Sequence, residues 1–306
     1  MKITNGFPTL ADLAAVDANP AREVIDQTIA RAPELENFPA EMIEGSSLTL
    51  SVLDELPAVG FRKANEGGGG GAPKFSSKLF QAMIIEEVVS VDKMGISEGS
   101  KDPARFLMNW SMPFMRAVMS KIAKVGYYGT SLDEKGFPGL IAQHAAGTDH
   151  NVDATGTSGK SSVWFLELGA DTLSWVFGNG NTIAMDADWV EETIRPKEGG
   201  AFKALSNTIS SRVGIKLANK NSAVRIKNVT AQSGKGLTDK LLYQGLERAE
   251  TLGMQPNLIV ANPRSLFQLR DSRDTINQTG MPASLPREWE GIPILSTINI
   301  STDEAI

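Results

Sequence analysis

The octapeptide Ala154-Thr155-Gly156-Thr157-Ser158-Gly159-Lys160-Ser161 has the glycine, lysine and serine spacing of a loose phosphate-binding loop. Such a loop works when a buried strand leads in and a helix leads out, so that backbone N–H groups and the helix terminus face the phosphates. Here a polar stretch, Asp149-His150-Asn151-Val152-Asp153, leads in and a strand leads out, with no apolar run ending in aspartate to hold magnesium. Nucleotide binding through residues 154–161 is therefore a remote reading. Asp149, Asn151 and Asp153 resemble the start of a calcium loop. The required glycine at the sixth place is Ala154 and the required glutamate at the twelfth is Lys160, so no bidentate carboxylate closes the site.

Only two histidines occur, His144 and His150. Both fall in a polar, glycine-rich stretch with no regular element to fix them, so they are expected at the surface and not in a zinc site. No G-x-S-x-G sequence marks a nucleophile elbow. Glu86 and Glu87 are adjacent on an expected strand, face opposite sides and cannot act as a facing acid pair. The chain contains no cysteine, which removes disulfides, thiolate metal sites and cysteine nucleophiles. No catalytic, cofactor-binding or metal-binding residues are expected.

With chemistry thin, the elements carry the information. The most telling is an arm over residues 56–91. Extended segments around Val59-Gly60-Phe61-Arg62-Lys63 and from Phe75 to Val91 are joined by Glu66 and the run Gly67 to Gly71. Glycines have no side chain to pack and lose the most entropy on ordering, and an isolated hairpin is marginal in water. An arm of this kind is useful when a neighbouring subunit lies under it. Arg62, Lys63, Lys74 and Lys78 make it basic against Glu66 at its tip. Those charges either discourage edge-to-edge aggregation or contact an acidic patch on the next subunit.

At 306 residues, 41% apolar and 22% charged, the chain can bury a sizeable core. The net charge of −6 argues against a free-standing nucleic-acid binder. No apolar run is long enough to cross a bilayer, and no apolar signal core follows Lys2, so a soluble protein made in the cytoplasm is expected.

Before the arm, Asn19 and Pro20 open a short helix with an apolar stripe of Val24, Ile25 and Ile29, interrupted by Pro33 and Pro39. Residues 47–53 alternate, with Leu48, Leu50 and Val52 on one face. The returning strand is apolar on both faces over Ala82-Met83-Ile84-Ile85 and is expected to be covered on both. Asp102-Pro103 starts the clearest helix, running to about Lys124 with Leu107, Trp110, Phe114, Val118 and Ile122 in one stripe, a bend at Pro113 and an end at Gly126. A loop from Tyr127 to Ser161 follows. Strands are expected at 163–166, 173–177, 212–217, 223–229, 258–260 and 292–295. Helices are expected from Asp239 to Leu252, capped by Thr238 and closed by Gly253, and from Pro263 to about Asp274. There is no internal repeat.

This ordered set resembles the major capsid proteins of tailed bacteriophages, built on the Hong Kong 97-like fold. The likeness is carried by the stretch Leu56 to Asn65, by Val89-Ser90-Val91-Asp92-Lys93, by Tyr128-Gly129 and by Phe137-Pro138-Gly139-Leu140. It continues through Ser161-Ser162-Val163-Trp164-Phe165, Val224 to Val229, and Trp289-Glu290-Gly291-Ile292-Pro293-Ile294. It spans almost the whole chain. It implies an α+β, Hong Kong 97-like capsid fold. Residues 1–50 are then an N-terminal arm, 51–95 an extended β-hairpin loop, 96–230 a peripheral domain with a long spine helix to which 290–306 return, and 231–289 an axial domain. It implies a virion protein, assembled in the host cytoplasm as pentamers and hexamers of an icosahedral shell enclosing double-stranded DNA without sequence specificity. No long N-terminal extension serves as a built-in scaffold, so a separate scaffolding protein and a portal are the implied partners. Some relatives cross-link a lysine of the extended loop to an asparagine on a neighbour, but nothing here marks such an asparagine. No cofactor, membrane or catalytic activity is implied. A protein nanocompartment shell on the same fold is the competing reading.

Overall fold

In the computed structural model the described residues are 32–68, 70–94, 96, 103–179, 182–195, 201–274 and 284–304. The helix expected after Pro20 and the Asp102 cap lie outside them. In chain order the elements begin with the one-turn helix α1 (Glu34–Asn37) and the strands β1 (Ala40–Ile43), β2 (Ser47–Glu55), β3 (Lys74–Gln81) and β4 (Met83–Asp92). The long helix α2 (Pro103–Tyr128) and the short α3 (Leu140–Gln143) come next. Then follow β5 (Asn151–Asp153), β6 (Ser161–Leu166), β7 (Leu173–Gly178), β8 (Ala184–Met185), β9 (Val190–Ile194), β10 (Phe202–Leu217) and β11 (Ala223–Val229). The chain closes with α4 (Asp239–Thr251), β12 (Leu258–Ala261), α5 (Pro263–Asp274), β13 (Glu288–Trp289) and β14 (Ile292–Ser296).

Three sheets result. One runs β1-β7-β10-β4, with β8 and β9 also against β10; a second runs β13-β14-β12-β6-β11-β5; the third is the pair β2-β3. The second sheet is apolar on both faces because it divides two cores. Trp164, Leu166, Ala223, Leu258 and Val260 turn into the core shared with α2 and the first sheet. Their alternates Val163, Phe165, Val224, Ile226, Ile259 and Ala261 turn into the core under α4 and α5. Period-two alternation alone sorts them. Helix α4 approaches that sheet closely: a Cβ on Gly245 would stand 2.5 Å from the Phe165 ring. Its N-cap is Thr238, whose side chain accepts from the Leu241 amide at 3.4 Å.

Several expectations are corrected. Helix α2 does not stop at Gly126. That glycine is internal and lies against Trp175, where a Cβ would sit 2.7 Å from the indole. The helix ends at Gly129, whose φ of +59° is the left-handed conformation that favours glycine. The buried stripe runs through Leu107, Ser111, Met115, Val118 and Ile122, and Trp110 stays 43% exposed beside Phe106. Residues 59–63 form no strand; the hairpin legs are β2 and β3, paired from Ser47↔Gln81 to Glu55↔Lys74. The returning strand breaks at Ala82, because β3 pairs with β2 whereas β4 pairs with β10. β4 is covered on one face only, and Ile84 and Val88 are exposed.

The histidines are not at the surface. His144 and His150 are both buried, their rings 5.9 Å apart, with His144 also edge-on to Trp164 at 5.2 Å. Neighbours distant in the chain cover them; Asn221 Oδ1 lies 3.0 Å from His150 Nε2.

Two buried polar clusters tie residues 297–304 to the body. Glu34 accepts from Tyr127 Oη at 3.2 Å, from Asn299 Nδ2 at 3.0 Å and from the Thr297 hydroxyl. Its burial pushes the carboxyl above the usual range. Glu304 accepts from Arg225 at 2.9 Å, Ser162 at 2.6 Å and Tyr128 at 2.8 Å.

Candidate intersubunit surface

The phosphate-loop spelling at 154–161 is occupied by the protein itself. Arg264 donates to Gly159 O at 2.7 Å and to Val229 O at 3.3 Å. Gln232 Nε2 donates to the hydroxyls of Thr157 and Ser158, each at 3.1 Å. Gly156 is pressed against residues 228–230, where a Cβ would stand 2.1 Å from the Thr230 methyl. Strand β6, and not a helix, follows the loop in sequence. This is a packed junction and not a phosphate cradle.

Two of the three calcium-like residues, Asn151 and Asp153, are engaged within the protein. Asp153 Oδ1 accepts from the Thr155 amide at 2.7 Å and from Asn228 Nδ2 at 2.8 Å. Asn151 Nδ2 donates to Ala145 O at 3.0 Å and Gly147 O at 2.8 Å. Among the described residues no group of three or more His, Asp or Glu is placed to hold a metal ion, and no helix is long and apolar enough to cross a membrane.

What stands open is the hairpin. Among the described residues strands β2 and β3 pair only with each other. At the root the chain is fixed tightly. Phe80 is buried, and Ala82 N donates to Ser46 O at 2.9 Å. Gly214 accepts the close approach of Gln81 O, from which a Cβ would stand only 2.4 Å. A groove of ≈ 270 Å³ between Lys78–Gln81 and Pro138, Gln143, Ile215 and Leu217 marks where the arm leaves the body.

Away from the root the packing stops. Leu53 and Phe75 form a cross-strand pair that is 45% and 64% exposed. Leu56, Val59 and Phe61 on the tip are almost wholly in solvent. Beyond the strands the two legs still run side by side, because a Cβ on Gly71 would meet Ala58 O at 2.5 Å. A Cβ at Gly67, Gly68 or Gly70 would meet nothing within 4 Å among the described residues, so space does not require glycine there.

The five charged residues expected to matter divide into three places. Arg62, Lys63 and Glu66 come together in a turn. Arg62 Nη1 donates to Glu66 O at 2.8 Å, and the Lys63 amide donates to Glu66 Oε2 at 3.2 Å. Asn65 takes the left-handed conformation in that turn, at φ +66°. Lys74 pairs with Glu55 across the hairpin at 2.6 Å. Lys78 is half-buried nearer the root; burial lowers its pKa, and Asp54 opposes the shift. What the charges did not reveal is the apolar surface beside them. Phe61, Phe75, Ile84 and Val88 are apolar, and only the fold shows that they are exposed among the described residues.

A family model described as major capsid protein GP7 matches residues 20–306. No curated protein matches the chain in sequence. A solved chain of bacteriophage Epsilon15 superposes with a TM-score of 0.65 at 16% identity, covering 87% of this chain and 88% of that one. A bacteriophage JBD30 capsid chain gives 0.48 at 10% identity, over 85% and 88%. The SrpI encapsulin of Synechococcus elongatus gives 0.48 at 8% identity, over 66% and 89%. Of these three, only the Epsilon15 chain is near enough to carry the fold.

Proposed function

The chain belongs to the major capsid protein GP7 family, and from that membership we propose how its parts build a shell. It is a structural protein of a bacteriophage head, with a Hong Kong 97-like α+β fold, and its place is the virion. In our reading many copies close into an icosahedral shell of pentamers and hexamers around double-stranded DNA, assembled in the host cytoplasm with a separate scaffolding protein and a portal. It works by assembly and without catalysis. Residues 1–50 act as the N-terminal arm, 51–95 as the extended loop, 96–230 with 290–306 as the peripheral domain and 231–289 as the axial domain. Arg62, Lys63, Glu66, Lys74 and Lys78 lie at contacts with the next subunit.

One observation carries this reading. Among the described residues the two-stranded hairpin pairs with no third strand, and its Leu53, Phe61 and Phe75 are exposed. Such a hairpin is marginal alone, and a contiguous exposed apolar surface marks an interaction site. If each subunit buries ~1,000 Å² of apolar surface in the shell, the gross gain is ~25 kcal/mol. Ordering and association costs remove much of that. Each contact can then be modest while the closed array is firm.

The test is a variant in which residues 57–72 are replaced by a two-residue Asn-Gly turn, the tight hairpin closure. It is expected to keep the wild-type far-UV spectrum and to form no shells in electron micrographs. Shells of normal size and heat resistance from that variant would overturn the reading.

A further inference from the structure

Both histidines of the chain sit on one stretch that walls the base of the hairpin. Residues 139–151 run from Gly139, the N-cap of α3, to the first residue of β5. Leu140 is fully buried, and His144 and His150 are buried with it. Asn151 closes the stretch on itself through Ala145 O and Gly147 O. Gln143 fastens it to β10: its Nε2 donates to Ile215 O at 2.8 Å, and its Oε1 accepts from the Leu217 amide at 2.9 Å. Gln143 also lines the groove from which Lys78–Gln81 leave the body.

The imidazole next to Gln143 is the weak point of that fastening. His144 lies edge-on to Trp164 at 5.2 Å and to His150 at 5.9 Å, and the Arg225 guanidinium lies 5.4 Å from the same indole. Its Nδ1 is buried with no hydrogen bond among the described residues. A proton there sets a second cation beside Arg225 in an interior that solvates charge poorly. Carboxylates on the neighbouring elements are committed elsewhere. Glu304 is held by Arg225, Ser162 and Tyr128, and Asp153 of β5 by Asn228, the Thr155 amide and Lys227. Asp149, on the stretch itself, is exposed. On α4, beside residues 148–150, Asp239 is held by Arg273, and Lys240, Glu247, Arg248 and Glu250 are exposed. On α2 and β10, which pack on α3, Lys121 pairs with Asp133, Lys216 pairs with Glu41 and Lys124 is exposed. Burial accordingly lowers the pKa of the ring to about 4 against the opposing pull of Asn151, and His150 and Arg225 add to the shift.

We propose that residues 139–151 form an acid-released latch on the arm root: a proton on His144 drives the stretch off Trp164 and Arg225, Gln143 leaves β10, and the hairpin gains freedom at its base. In the opened state the ring meets water and binds its proton at the ordinary value, whereas the closed state refuses it. The opening equilibrium therefore shifts in acid by linkage. The rest of the body keeps its packing, because β6 and β12 are held by their own ladder and by the second core. The latch belongs to the single subunit, so it stands or falls apart from the shell reading.

The chain's lack of cysteine makes the test clean. In unassembled subunits, L140C reports opening of the latch and V163C, buried in β6, reports opening of the body. Both are probed with a pyridyl disulfide, which reacts with thiols in acid as well as at neutral pH. With the ring at about 4 when closed and 6.5 when open, the L140C thiol, scaled to an unfolded control, is expected to gain about fiftyfold in reactivity between pH 7 and pH 4.5. V163C is expected to stay protected, and H144Q/L140C to lose the gain. Amide exchange of the wild type, corrected for intrinsic rates, gives the same reading without a substitution. Residues 139–151 and the root amides Leu79–Gln81 should speed up in acid while β12 does not. An L140C thiol unchanged in acid, one that opens only together with V163C, or one that opens equally in H144Q would overturn the latch. Release of 139–151 with Leu79–Gln81 unchanged would overturn its hold on the arm.

Discussion

Gly129 and Gly139 meet backbone to backbone. A Cβ on Gly129 would lie 2.2 Å from the Gly139 nitrogen, and a Cβ on Gly139 would lie 2.4 Å from the Gly129 nitrogen. This contact ends helix α2 and seats the loop that carries α3, whose Gln143 donates to Pro138 O at 2.7 Å and Ile215 O at 2.8 Å. Gly129 is also left-handed, so a side chain there meets both a backbone clash and an unfavourable φ. Gly129→Ala is expected to cost about 2–4 kcal/mol, read as a lower denaturant midpoint of the unassembled subunit. An unchanged midpoint would show that the two segments part easily.

Arg225 and Glu304 form a buried ion pair at 2.9 Å, with side chains 8% and 2% exposed. Arg225 Nε also donates to Ser162 Oγ at 2.8 Å, and the guanidinium lies 5.4 Å from the Trp164 ring. Removing one partner strands the other charge in the interior. Arg225→Met is expected to destabilise the subunit by about 3–5 kcal/mol, while R225M/E304L together recover part of the loss. A double variant as unstable as R225M would place the cost in packing and not in the stranded carboxylate.

Glu34 sets one pH dependence. Burial raises its carboxyl above 4.5 in the folded state. The folded protein then holds a proton that the unfolded chain has released. The stability linked to this group is full below pH ~4.5 and is lost as pH rises through the folded pKa. Glu34→Gln, measured by urea unfolding at a series of pH values, is expected to flatten that decline. An identical slope in the variant would rule Glu34 out as its source.

His144 acts in the opposite sense. Burial lowers its pKa from 6.5 to about 4, and its Nδ1 has no hydrogen-bond partner among the described residues. Asn151 Oδ1 lies 3.3 Å from Nε2; with the Asn151 amide committed to two carbonyls, that oxygen accepts from the Nε2–H of the neutral ring. Between pH 6.5 and 4 the unfolded chain binds the proton that the folded one refuses. Acidification through that window is expected to remove about 3 kcal/mol, and His144→Gln should abolish that component. An acid transition unchanged in H144Q would assign it elsewhere.

Much of the fold could be read from local pattern, and the exceptions share a physical cause. β6 and β7 were recognisable because every residue in them is buried. Helix α4 announced both ends, through the Thr238 cap and Gly253 at φ +74°. By contrast only the apolar end of β10 was recognisable, since Phe202–Ser211 is rich in serine and polar residues and is held by pairing with β4 and β9. β1 is four residues long and depends on its parallel partner β7. Gly126 reads locally as a helix end because its role is set by Trp175, far along the chain. The histidines read locally as surface residues for the same reason. On the hairpin the basic residues are legible directly from the sequence. The exposed apolar stripe could not, because exposure of Phe75 or Val88 depends on which strands lie beside them.

Amide hydrogen exchange over β2 and β3 tests most directly whether the hairpin is an intersubunit element. In unassembled subunits these amides should exchange quickly, as a two-stranded ribbon on its own opens at little cost. In closed shells the same amides should be slowed by about a hundredfold or more, while those of β6 and β12 change little. Equal protection of β2 and β3 in both states would contradict the account, because the arm would then draw its order from its own subunit.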